Sequence, residues 1–137
     1  MLGSRLKKKI HNEKGFTLAE LLVVIAILAI LVAISVPILT SRLSEAKKST
    51  DESNIRAAKV LVSSKIMEGT NVTTYYYNAD EGKLVTSKAD VGEVYGQSSE
   101  EVKGATNAPE GKILQATITT SNGDSQIKFS WVAKSGE

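Results

Sequence analysis

The sequence predicts an α+β protein: a long N-terminal α-helix whose C-terminal half packs on a small antiparallel β-sheet. Three observations carry that expectation. An uncharged apolar run extends from Leu21 to Leu39, a stripe of helical period follows over residues 41–68, and two alternating segments flank Asn122-Gly123 near the C-terminus.

The chain opens on a basic stretch. Residues 1–15 hold Arg5, Lys7, Lys8, Lys9 and Lys14 against Glu13, a net +4, whereas the remainder has 12 basic and 14 acidic residues, a net −2. A pI of 8.8 suggests nucleic acid at first sight. The excess, however, is confined to a short stretch ahead of an apolar run, where clustered Lys and Arg act as a topology signal and stay on the cytoplasmic side. No nucleic-acid partner is expected for the chain by itself.

Leu21 to Leu39 is 19 residues of Leu, Val, Ile and Ala, interrupted only by Ser35 and Pro37. As helix it measures about 28 Å at ~1.5 Å per residue, roughly a bilayer core, so residues 16–40 read as a single membrane span. A cleaved secretion signal would place a small-residue cleavage site after the run. Here the run instead continues into Ser41 to Glu68, which has no Gly or Pro. Pro37 removes one backbone hydrogen bond and is expected to kink the helix rather than end it. Leu39, Leu43 and Ala46 form a first apolar stripe, and Ile55, Ala58, Val62 and Ile66 a second; Gly69 is the expected stop.

Beyond Gly69 the texture turns β-branched and aromatic. Val72–Tyr77, Lys83–Thr86 and Glu93–Tyr95 are strand candidates, with a turn over 78–82. In the first, Tyr75 and Tyr77 share a face and Tyr76 opposes them. Ile113–Thr120 and Gln126–Val132 form the strongest pair, placing Leu114, Ala116 and Ile118 beside Ile127, Phe129 and Trp131 on one apolar face. The amphipathic helix of residues 41–68 is the expected cover for that face. The expected organisation is therefore a basic stretch over 1–15, an apolar helix over 16–40, and a globular domain over 41–137 whose sheet spans 70–134.

Several chemistries fall away. There are no cysteines and the single histidine, His11, lies in the basic N-terminal stretch, so thiolate catalysis, disulfides and a histidine-based triad are excluded. No enzyme activity, cofactor or metal is expected. Asp80, Glu81, Asp90, Glu93, Glu100 and Glu101 match no calcium loop and read as a solvated acidic surface. Asn71-Val72-Thr73 has glycosylation spacing by chance.

Glu20 is the informative residue, because a carboxylate at the edge of an apolar span is costly to bury unpaired. Lys14, headgroup solvation and, if the chain is cut before Phe16, the new α-amine are its candidate partners. Gly15-Phe16-Thr17-Leu18-Ala19-Glu20, between a basic leader and an apolar helix, resembles the class III signal of type IV prepilins and type II secretion pseudopilins. The resemblance implies the pilin fold and cleavage by a prepilin peptidase between Gly15 and Phe16, with N-methylation of Phe16. It also implies pairing of Glu20 with the Phe16 amine of an adjacent subunit during assembly, and Pro37 stands at the distance many relatives show. Many relatives carry a glycine midway along the run, where Ala29 stands here.

By the same resemblance the expected function is a structural subunit that polymerises into a type IV pilus filament for adhesion, motility or DNA uptake. Its partners would be other pilin subunits, the peptidase, an assembly platform and an ATPase. The precursor would sit in the cytoplasmic membrane with its N-terminus in the cytoplasm, and the assembled filament would be extracellular. The short leader and Phe16 are type IVa-like, and the missing cysteines point to a Gram-positive source or to a subunit stabilised by other means. Alternatives are a minor pilin or secretion or competence pseudopilin, and a signal-anchored membrane protein with a small binding domain.

Overall fold

The computed structural model describes Gly15 and residues 17–135; residues 1–14, which fall in the expected 1–15 leader, Phe16 and residues 136–137 lie outside them. The order is helix α1 (Leu18–Met67), then β1 (Thr74–Asn78), β2 (Lys83–Val85), β3 (Ile113–Ser121) and β4 (Asp124–Val132). The expected α+β class is the observed one. The chain forms two compact units, one up to Ser41 and one from Arg42 onward.

In the first unit every described residue is exposed, including the large apolar side chains from Leu18 to Leu39. Among the described residues, α1 is the one helix long and apolar enough to cross a membrane. The two hydroxyls near the proline turn back on the backbone, Ser35 Oγ donating to Leu31 O at 2.7 Å and Thr40 Oγ1 to Val36 O at 2.9 Å. Their polarity is thereby satisfied within the helix, as an apolar environment requires. The helix is continuous on both sides of Pro37.

In the second unit, α1 ends as Gly69 predicts. Gly69 has φ +82°, its N–H donates to Ile66 O at 3.0 Å, and the Thr70 N–H donates to Lys65 O at 3.2 Å. This is the paired-bond helix cap that a left-handed residue allows. The sheet is wholly antiparallel in the order β2-β1-β3-β4. Asn122 and Gly123, at φ 53° and 89°, form the two-residue turn, with Ser121 opposite Asp124. The register sets Leu114 against Trp131, Ala116 against Phe129 and Ile118 against Ile127, as their alternation predicts. Tyr75 and Tyr77 are buried and Tyr76 is half-buried, again as expected of a strand with one covered face.

The core joins this face to Ile55, Ala58 and Val62 of the helix, all buried. Ala58 is fully buried, the small residue that lets strand side chains reach the helix. Two expectations are corrected here. Leu39, Leu43 and Ala46 stay exposed, and the buried stripe is instead extended N-terminally by Asp51. Glu93–Tyr95 forms no strand. Tyr95 N and Gly96 N both bond to Lys112 O, and the Tyr95 hydroxyl donates to Tyr77 O at 2.7 Å while accepting from Leu114 N at 2.9 Å. Burial raises that phenol well above its ordinary range, so it remains a neutral donor and acceptor.

Asp51 explains the loop between β2 and β3. Fully buried, its carboxylate accepts from Gln97 N at 3.1 Å and Ser98 N at 2.7 Å, while nearby Lys48 pairs with Glu100. The helix thereby holds a segment that has no ladder of its own. The loop returns to β3 at a tight crossing. A Cβ on Gly96 would lie 2.6 Å from the Pro109 carbonyl carbon, backbone that cannot step aside. Gly96→Ala is therefore expected to cost about 1–3 kcal/mol, read as a lower melting temperature of the near-UV circular dichroism signal.

Candidate functional site

The first turn of α1 is built by two residues of the motif. Thr17 N donates to Glu20 Oε2 at 3.2 Å, and Glu20 N donates to Thr17 Oγ1 at 3.2 Å. The reciprocal pair is a capping box: it satisfies two of the backbone donors that a helix start leaves open and sets a carboxylate at the positive end of the helix dipole. The Thr-x-x-Glu pattern ahead of an apolar run was the sequence signal for this, and reading Glu20 for its charge alone missed it. Glu20 thus has a partner within its own helix, Thr17, and among the described residues it forms no ion pair.

Gly15 has φ +62°, and a Cβ built on it would meet nothing within 4 Å, so glycine serves the backbone conformation there. Phe16, the expected cleavage and methylation residue, lies outside the described residues. Beyond Glu20 the helix presents apolar side chains on every face up to Leu39, the large ones all at least half exposed. An all-round apolar helix with one carboxylate in its first turn suits insertion in lipid or burial among other helices.

Of the six acidic residues Asp80, Glu81, Asp90, Glu93, Glu100 and Glu101, three have partners of their own. Glu81 pairs with Lys83, Glu100 pairs with Lys48, and Glu101 accepts from Asn107 N at 3.2 Å. Among the described residues no three acidic or histidine side chains converge as a metal site.

Residues 10–36 match the family model described as the prokaryotic N-terminal methylation motif. Over 59 residues the chain is 37% identical to the type IV major alpha-pilin of Moraxella bovis, an alignment that covers 43% of this chain. It spans 37% of the length of that relative. No solved structure matches the chain. The chain is thus similar to a type IV major alpha-pilin over part of its length, and its N-terminal methylation motif overlies the start of an apolar helix that is followed by a small antiparallel sheet.

Proposed function

We propose that the chain is a pilin precursor, cut between Gly15 and Phe16 by a prepilin peptidase, methylated at the Phe16 nitrogen, and polymerised into a pilus filament with other copies. One observation carries this reading: the methylation motif over residues 10–36 overlies the start of a helix whose apolar side chains are exposed on all faces. Such a helix is covered by lipid before assembly and by neighbouring helices after it. The precursor spans the cytoplasmic membrane once with its basic N-terminus inside, and Pro37 bends the helix where the backbone bond to Ala33 O is missing. A platform protein and an ATPase drive assembly. Leader, helix and domain boundaries of 1–15, 16–40 and 41–137 follow from the same scheme.

Assembly in this scheme pairs the Glu20 carboxylate with the Phe16 amine of a neighbouring subunit, an attraction that strengthens as water is excluded. The capping box separates that role from helix capping. Glu20→Gln keeps a side-chain oxygen for Thr17 N but removes the charge. It is expected to permit cleavage, leave the helix start intact, and reduce sheared filament by about tenfold or more. Filaments at the normal level in Glu20→Gln would overturn the pairing. N-terminal sequencing of the mature chain checks the processing step, with methylated Phe16 expected as the first residue.

A further inference from the structure

In the second unit, a groove of about 440 Å³ lies between α1 and β4. Its floor is apolar, made by Ile55, Ile127 and Phe129, and its rim carries Arg56, Lys59 and Lys103 against the single carboxylate of Glu52. None of these three cations forms an ion pair among the described residues.

One wall of the groove is an unfinished sheet edge. β4 is the outer strand of the sheet. Near its end the edge is occupied: Thr106 N donates to Phe129 O and Trp131 N to Thr106 O, each at 3.0 Å. Strand alternation gives Ile127 and Ser125 the same outward-facing N–H and C=O groups. Among the described residues those groups have no backbone partner. An apolar floor, a cationic rim and free strand-edge groups coincide at one place.

We propose that this groove binds an extended acidic segment of a separate partner protein, which adds a strand to the open edge of β4. Backbone bonds to Ser125 and Ile127 would give register, alternate apolar side chains would enter between Ile55 and Phe129, and acidic side chains would meet Arg56, Lys59 and Lys103. The chain does not supply this segment from its own N-terminus. Residues 1–15 hold five bases to one acid, the wrong sign for the rim. Nor does a folded second copy offer one without breaking its own contacts, since its acidic stretch at 97–101 is fixed to Asp51, Lys48 and Asn107.

The test uses the full chain in neutral detergent micelles with the capped peptide acetyl-Glu-Val-Glu-Val-Glu-Val-Glu-amide, and the same peptide with Lys for Glu. The acidic peptide is expected to bind with an affinity that falls as salt rises, and to slow amide exchange at Ser125 and Ile127. Lys103→Glu, an exposed change, should weaken binding by about tenfold with no change in the thermal melt. Ile127→Pro, which deletes an outward N–H that β3 does not use, should abolish the protection of Ser125. Equal binding of the lysine peptide, unchanged exchange at both amides, or self-association of the chain through this face in place of peptide binding would overturn the proposal.

Discussion

Trp131→Ala is expected to lower the stability of the unit from Arg42 onward by about 3–5 kcal/mol, the cost of emptying a large aromatic site. Trp131 is 1% exposed, faces Leu114 across the sheet, and meets the Tyr95 ring edge-on at 5.6 Å between centroids. Tyr95 in turn stands perpendicular to Tyr77 at 6.1 Å, so the cavity would open beside an aromatic stack rather than beside side chains free to collapse. At about 4–8 °C per kcal/mol for a domain of this size, the near-UV melt should fall by roughly 15 °C or more. Trp131→Phe should behave differently. The indole Nε1–H has no hydrogen-bond partner, so phenylalanine keeps much of the ring packing while removing a buried donor that is already unsatisfied. A loss under about 1.5 kcal/mol is expected for that variant. A phenylalanine variant as unstable as the alanine one would show that the indole makes a bond of its own.

Asp51→Ala is expected to cost about 2–4 kcal/mol, because the N–H groups of Gln97 and Ser98 lose the acceptor that holds them at the helix. Faster amide exchange should be concentrated at Gln97 and Ser98, with the β3–β4 hairpin far less affected. The pH dependence has a definite sign. Burial raises the Asp51 carboxyl above its ordinary value of 3.8, partly opposed by the Ser98 and Gln97 N–H groups. With the folded value above the unfolded one, folding takes up a proton between the two. The stabilising contribution is complete below about 3.8 and is lost as pH rises through the folded value. The stability gap between the parent chain and Asp51→Ala should therefore widen as pH falls from neutral toward 4. Glu100 acts oppositely, since Lys48 holds its carboxyl below the usual range, but that pair is present in both proteins and drops out of the difference. A gap that narrows on acidification would refute the sign.

What could be read from sequence was whatever a short window contains. The β3–β4 hairpin is specified by alternation on two strands and by Asn122-Gly123, which supplies two positive φ angles in the right order. The end of α1 at Gly69 and the tyrosine faces of β1 have the same local origin. Asp51 was invisible because its acceptors' partners lie 46 and 47 residues away, and an acid on a polar-looking helix turn gives no hint of burial. Glu93–Tyr95 reads as strand by propensity, yet the Tyr95 hydroxyl is drawn inward to Tyr77 and Leu114, a tertiary demand that outweighs a weak local preference. At the motif, the capping box is legible in the spacing of Thr17 and Glu20, a signal that the charge of Glu20 alone does not carry. The sheet order placed β1 between β2 and β3, which pattern alone left open.

The sheet order also fixes a timetable for folding. The β3–β4 hairpin closes over two residues, whereas β1 must find β3 across the whole excursion from Asn78 to Ile113. Loop-closure entropy makes the hairpin the early event and the β1–β3 seam the late one. Phe129 and Trp131 arrive with β4, so a chain emerging N-terminus first leaves Ile55, Ala58 and Val62 without these partners until β4 has followed. The unit from Arg42 onward cannot begin to bury its largest side chain before β4 has been synthesised, and during that interval its helix is open to chaperones and proteases.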